Sequence, residues 1–421
     1  MSANRIDLLF EPVDTWFFRD ARPMQAGAGS GGHGARWPLP TTLYAAVRTA
    51  LLDAAGHLPA GKTEPVLRHR KGGVVEARVG TTRFDHVRLW GGLPWAGGKL
   101  YFPTPLDLAP VATSAAGGWG CLPRGPLAGA AGATNLPAPW LHAVGAYVAP
   151  SKEALPSWVP YDFLERYLRG DGAPWPIPEE VRLWVSEHRF GIQISPETRT
   201  VVERAFYAAE HLRLAEGVGL WAALAAGEAP ELDAVAAAWR RGTLLTLGGE
   251  GRLARVRSLT GLDLPALQVR GTRIKWVLAT PAVFAGGWRP GWVAEEDGRV
   301  KLKDVPARQP GESRGDWRAR VREAKEIGAR LVAVCAGKPV AFSGWDLLGK
   351  GGAEAGAGAP RTTRLAVPAG SVYYFEADDE EQARALAAAL HGSCHSDELG
   401  EKGLGWGLCG TWDWLEPFWE V

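Results

Sequence analysis

Three features of the sequence predict an α+β fold built in two halves. Short apolar stretches that read as strands mix with helical stretches in strand, helix, strand, strand order, and they do so twice. At 421 residues the chain is too long for one small core. A break falls near 260–272. Together these predict two ferredoxin-like (RRM-like) domains with insertions, over residues 1–260 and 272–421, the first carrying a β-hairpin.

In the first half, Arg5–Phe10 reads as a strand that ends at Glu11 and Pro12. A long glycine-rich loop runs from Trp16 to Pro40. Leu43, Ala46, Val47, Ala50, Leu51 and Ala54 then recur at the spacing of one helix face, with Thr41 or Thr42 as the expected N-cap and Gly56 as the stop. Residues 57–180 are rich in Pro, Gly and Trp and read as an insertion. Short strands are expected there near 74–80 and 99–102, and the low-complexity stretch 109–139 is expected to loop. Phe190, Ile192 and Ile194 alternate with Gly191, Gln193 and Ser195, "SPETRT" supplies a turn, and Val201–Ala208 returns. This predicts the hairpin, over about 188–214. A helix over 231–242 leads into strands over 243–249 and 252–259.

The second half begins with a strand over 274–284, then a charged helix or linker over 317–330 and strands over 331–336 and 338–346. Residues 367–377 are apolar on both faces and predict a buried strand. An acid-started, alanine-rich helix spans 379–392 with Gly392 as its stop. The last strand falls within 405–414, after the glycine-rich loop 400–410, "GEKGLGWGLCG".

Composition narrows the function classes. Hydrophobic residues make up 46% and charged residues 22%, as in ordinary globular proteins. The net charge of +1 supplies no global field for nucleic acid, so any such binding must use local patches. Arg outnumbers Lys about three to one, a bias that suits phosphate forks and that a GC-rich genome also produces. The four cysteines form no C-x-x-C pair and are expected to be reduced thiols of a cytoplasmic protein. Neither a signal peptide nor a membrane span is expected.

No metalloprotease, nucleophile-elbow or Walker motif is present, and Lys402 is followed by glycine instead of Ser/Thr. His391, Cys394 and His395 have poor spacing for one tetrahedral ion and read as a surface loop, so neither a metal nor a cofactor is expected. His33 and His57 flank the first helix without an evident partner, which leaves catalysis unsupported. The 20 Trp are expected mostly in cores and interfaces, with stacking on bases or sugars a minor use. Arg19, Arg22, His33 and Arg36 stand on the loop before the first helix, Arg48 on that helix, Arg189 on the hairpin, and Arg361 and Arg364 before the 367–377 strand. With Lys402, Gly403, Gly405 and Trp406 they form the candidate phosphate-backbone interface. Trp406 is expected either to stack on a base or, preferably, to pack into the core.

These stretches resemble a known family. "PVDTWFFRDARPM" followed by "WPLPTTLYAAVRTALL", the hairpin "HRFGIQISPETRTVVERAFYAAEHLRL", "LATPAVF", "PVAFSGWD", "RLAVPAGSVYYFEA" and "GEKGLGWGLCGTW" occur in the order found in RAMP-superfamily CRISPR proteins, and together resemble subunit three of the type III-B Cmr effector complex. The resemblance covers nearly the whole chain outside 57–180. It implies a non-catalytic antiviral-defence subunit that grips the repeat-derived 5′ tag of the CRISPR RNA, meets target RNA, and docks to the large polymerase/cyclase subunit and other RAMP subunits. It also implies that loop 400–410 touches the guide and that the β-hairpin protrudes and crosses the guide–target duplex. Trp90, Trp95, Trp119 and Trp140 then suggest that region 57–180 faces a protein partner. The alternative is a metal-independent CRISPR RNA-processing endoribonuclease of the RAMP type, with His33 as its base.

Overall fold

The computed structural model describes residues 5–20, 35, 37–56, 65–70, 73–79, 84–112, 119–131, 136–146, 153–225, 239, 242–306, 308–309, 311–346 and 359–416. Two antiparallel sheets pack face to face, and a helix covers the outer side of each.

The first sheet runs in the order Trp158–Pro160, Lys99–Pro103, Arg88–Ala96, Val218–Ala225, Arg5–Pro12, Leu253–Leu259, Thr243–Thr246. The second runs Ala329–Cys335, Val372–Ala377, Arg273–Leu278, Trp406–Thr411, Ser393–Cys394. Ignoring edge additions, the four main strands of each sheet lie in the spatial order second, third, first, fourth. Residues 260–271 connect the sheets without regular structure, although Leu262 and Leu264 pack against the shared core.

The strand period decides which side each residue serves. Leu8 and Phe10 of the first strand, with Leu220, Ala222 and Leu224, face helix Pro40–Ala54. Leu93, Trp221 and Ala223 face the other way, toward Val277, Val332, Tyr374 and Trp406 of the second sheet. Ile274, Trp276, Tyr373 and Phe375 face helix Glu380–Leu390 on the far side. The strand over 367–377 was expected to be buried on both faces, and its regular part, Val372–Ala377, is so because it separates two cores.

Helix Pro40–Ala54 starts one or two residues before the expected Thr cap. Pro40 occupies its first turn and Leu39 caps it without a side-chain bond, in keeping with the preference for Pro where an amide would go unused. Asp379 caps the last helix through the amide of Gln382, 2.8 Å away. The helix expected over 231–242 lies outside the described residues except Trp239, which is buried, and Gly242.

Region 57–180 is not simply an insertion. Arg88–Ala96 pairs along eight positions with Val218–Ala225 near the middle of the first sheet. Its Gly-Gly-x-Pro sequence, within the stretch read as an insertion, serves this strand for a specific reason. A side chain at Gly91 would lie 2.8 Å from the Trp221 ring, and φ there is +105°, so the sheet needs glycine to accept Trp221 at a bulge. Helix Tyr161–Arg169 sits between the sheets, with Phe163, Leu164, Tyr167 and Leu168 in the shared core. The stretch expected to loop contains paired strands Leu108–Ala112 and Trp119–Pro123, and Gly125–Ala131 pairs with His142–Gly145.

Asp107 and Lys275 are buried between the sheets. Asp107 Oδ2 accepts hydrogen bonds from the Tyr167 and Tyr374 hydroxyls at 2.7 and 2.8 Å. Lys275 Nζ lies 3.4 Å from the centre of the Tyr167 ring. Burial pushes Lys275 from 10.5 down to about 8, against the pull of Asp107. Between those values the unfolded chain binds more protons than the folded one, so this group makes stability rise with pH through that window. Melts of the native chain and Lys275→Met, compared from pH 7.5 to 9.5, are expected to differ by a relative gain of about 2 kcal/mol for the native chain. Parallel curves would show that Lys275 keeps its ordinary proton affinity.

Candidate nucleic-acid interface

The hairpin consists of Trp184–Ile194 and Val201–Leu214, joined by a turn in which the Ser195 amide donates to the Thr200 carbonyl at 2.9 Å. Its base is pinned. Trp16 and Leu212 exchange backbone hydrogen bonds at 3.0 and 2.7 Å. Asp14 receives Arg189 at 2.8 Å, Arg213 at 3.1 Å and Arg252 at 3.4 Å, while Glu187 also receives Arg189 and Arg213. These hydrogen bonds, Arg189 foremost for Asp14 and Arg213 foremost for Glu187, lower both carboxyl pKa values. Beneath them, His211 Nδ1 pairs with Thr15 Oγ1 at 3.0 Å.

Beyond this base the hairpin carries no core. Phe190 is 70% exposed, and Ile192, Ile194, Val201 and Phe206 are each at least half exposed. The register places these five on one face: Ile192 opposes Phe206 and Ile194 opposes Val201. Phe190 and Phe206 stack with ring centres 6.0 Å apart. On the other face, Tyr207 lies across Gly191, where a Cβ would come within 2.3 Å of its ring. The sequence alternation located this hairpin. That no described element covers it is visible only in the structure.

The proposed phosphate ligands separate into groups. Arg189 is committed to Asp14 and Glu187, so its guanidinium holds the hairpin base instead of a backbone phosphate. Arg48 forms an ion pair with Asp85 at 3.3 Å, and both are largely shielded. Arg364 pairs with Glu398. Arg361 is exposed, and its backbone bonds Gly344 and Ser343. Arg19 is exposed at the end of the buried segment Thr15–Phe18. Arg22, His33 and Arg36 lie outside the described residues.

Loop 400–410 departs from the expected cradle. The amides of Lys402, Gly403, Leu404 and Gly405 donate to Leu399, Gly400, Leu399 and Pro281 carbonyls, and that of Trp406 to Thr280 Oγ1, so none points at a ligand. Gly403 and Gly405 are buried. A Cβ on Gly403 would lie 2.7 Å from the Leu89 carbonyl and from Pro40, and one on Gly405 would lie 2.4 Å from the Ser396 amide. The glycines let the chain approach itself, not a phosphate. Lys402 Nζ stands 5.8 Å from the Tyr44 ring centre. Trp406 has no exposed surface and packs near Trp221 and Phe102, which excludes base stacking in this arrangement and agrees with its preferred reading as core.

The histidines after the last helix are structural, not a surface loop. His391 Nε2 bonds the Pro265 carbonyl at 2.8 Å and its Nδ1 accepts from the Cys409 amide, while His395 Nε2 bonds the Ala389 carbonyl. Burial lowers the pKa of both. Among the described residues no group of three His, Cys, Asp or Glu is placed to hold a metal ion. Next to His391 lies a cleft of about 780 Å³, lined also by Arg88, Trp90, Ser393 and Glu401. Trp90 Nε1 is buried there without a hydrogen-bond partner among the described residues. Of the four tryptophans expected at a protein interface, only Trp119 is exposed, at 43%. Trp90 and Trp95 pack against the shared core, and Trp140 Nε1 donates to the Glu295 carbonyl. Among the described residues no helix is long and apolar enough to cross a membrane.

Residues 8–412 match the family described as CRISPR-associated protein (Cas_Cmr3). Comparison with curated proteins gives no match. Among solved structures, a chain of the cryo-EM structure of the Type III-B Cmr-beta bound to cognate target RNA is 13% identical, with 87% of this chain and 86% of that chain covered and a TM-score of 0.42. The Type III-B Cmr-beta bound to cognate target RNA and AMPPnP, state 1, gives 14% identity, the same coverage and a TM-score of 0.40. The Csm1-Csm4 cassette in complex with AMPPNP gives 12% identity, 89% coverage of both chains and a TM-score of 0.28.

Proposed function

The chain belongs to the Cas_Cmr3 family of CRISPR-associated proteins, and from that premise we propose that it is a non-catalytic subunit of a type III-B RNA-guided effector complex, one that binds the 5′ tag of the CRISPR RNA. The family match over residues 8–412 is the observation that carries this reading. The shared strand order of the two sheets supports two ferredoxin-like domains, the first over residues 1–260 and the second over 272–421. Loops and hairpins held on a rigid scaffold commonly carry binding residues.

The hairpin supplies the part that meets the guide–target duplex. Its five-residue apolar face, on a base held by three arginines, is suited to enter between bases, which costs roughly a few kcal/mol per unstacked step and needs a rigid wedge. Arg19 and Arg361 are exposed basic residues suited to the RNA backbone, and Arg22, His33 and Arg36 belong to the same first loop by sequence. Trp119 is the candidate for contact with the large polymerase/cyclase subunit or with another RAMP subunit.

Footprinting of guide RNA tests the tag reading. In complexes assembled with and without this chain, protection of the tag nucleotides is expected only when the chain is present. Equal protection in both would remove the role. The isolated chain, incubated with CRISPR RNA in EDTA, is expected to leave the RNA intact; discrete products would make it an endoribonuclease instead.

A further inference from the structure

Helix Arg314–Glu323 does not join the cores of either sheet, and none of its residues is buried. Yet it is firmly held. Ser313 caps it by accepting from the Asp316 amide at 3.1 Å. Trp317 Nε1 donates to the Pro306 carbonyl at 2.9 Å. Arg320 makes two bonds to Glu312, at 2.7 and 2.8 Å, and Lys303 Nζ bonds the Arg322 carbonyl at 2.9 Å.

A different side of the helix carries Arg314, Arg318 and Arg322, all exposed, at successive four-residue steps. Among the described residues none of these three guanidinium groups has a hydrogen-bond or ion-pair partner. The acids of the helix lie elsewhere. Asp316 and Glu323 are turned roughly 150° away at 100° per residue, and Asp316 is occupied by Ser313. The surrounding chain is basic as well. From residue 299 to 326 there are nine Lys or Arg against five Asp or Glu, in a protein whose overall charge is only +1. Three partnerless arginines on an anchored helix are a poor arrangement for stability alone, because aligned like charges repel.

We propose that this face binds the phosphodiester backbone of a single-stranded nucleic acid. Guanidinium groups four residues apart rise about 6 Å per step along the helix axis, a spacing of the same order as successive phosphates on a strand. Arg is the residue type for that contact, since its planar fork takes two phosphate oxygens at once. Anchoring by Trp317 and Arg320 sets the stripe in place before the strand arrives. Among the described residues no aromatic side chain stands on the arginine face, so the site reads charge and spacing, not bases. It is separate from the tag-binding reading, which uses none of these residues.

The test uses the full chain and a labelled oligouridine of about twenty nucleotides, without any tag sequence. Replacing Arg314, Arg318 and Arg322 together by Gln keeps helix propensity and is expected to weaken binding about tenfold or more. It should also flatten the slope of log affinity against log salt by about 2, since a single strand releases about 0.7 counterion per phosphate contact. Arg318→Gln alone should remove about a third of that change, which preserves the test if the triple variant fails to fold. Asp316→Asn with Glu323→Gln should not weaken binding. Unchanged affinity and slope in the variants, or no binding by the native chain, would overturn the proposal. So would binding of polyglutamate at this face with higher affinity than RNA, which would make the partner an acidic protein. Loss of tag protection has no bearing on this result, so the two readings fail separately.

Discussion

Gly405→Asp is expected to destabilise the second sheet by about 4 kcal/mol or more, and Gly405→Ala by about 2–4 kcal/mol. The backbone at Gly405 has φ +72°, and any Cβ there would sit 2.4 Å from the Ser396 amide and 2.9 Å from its Cα. The collision is with backbone, which cannot swing aside. Gly405 is also bonded on both sides, its amide to Pro281 and its carbonyl to His395. Movement there therefore disturbs the connection between the last helix and the last strand. Gly400→Ala is the control: its nearest neighbour is 3.4 Å away and its φ is not positive, so a change within about 0.5 kcal/mol is expected. Denaturant midpoints separate the two variants. If Gly405→Asp folded with native stability but lost guide RNA, the loop would be a phosphate cradle after all.

The second large effect is functional and rests on the proposed role in the effector complex. Replacing Phe190, Ile192, Ile194 and Phe206 by Ser or Thr removes the apolar face of the hairpin. The melting temperature is expected to change little, since these side chains are mostly in water already and bury no core. On that proposed role, target-RNA cleavage by the assembled complex is expected to be altered near the tag end, because a polar surface does not wedge between bases. Deleting residues 196–199 shortens the turn and should act in the same direction. An unaltered cleavage ladder from both variants would leave the hairpin without this role. Asp14→Ala gives an intermediate case. It removes the acceptor shared by Arg189, Arg213 and Arg252 and leaves Glu187 and the Trp16–Leu212 backbone bonds, so the hairpin keeps its surface on a looser base.

Local pattern was enough for several elements. The alternation of Phe190, Ile192 and Ile194 located the hairpin arms, and the i, i+3, i+4 recurrence from Leu43 to Ala54 located the first helix. The acid-rich start at Asp379 marked the last helix. Each is a short-range signal, set by backbone geometry and by neighbours a few residues away. The order of motifs from Pro12 to Trp412 likewise needed only the chain.

Long-range packing decided the rest. Arg88–Ala96 looks like a loop by its glycines and proline, and becomes a central strand only because Trp221, over 120 residues later, occupies the space that Gly91 leaves open. Arg48, Arg189 and Arg364 look alike in sequence to any phosphate-binding arginine. Asp85, Asp14 and Glu398 neutralise them from far along the chain, where spacing carries no trace, although Arg189 has Glu187 two residues away as well. The glycines of loop 400–410 suit a ligand and a self-contact equally well, since both need a missing Cβ. The structure fills that space with Pro40, Leu89 and Ser396. The sequence by itself therefore determined the hairpin, the first and last helices, the order of the motifs and the family. Which charges and which glycines were left for a ligand depended on where each chain segment found its partner, a long-range property that the local sequence does not encode.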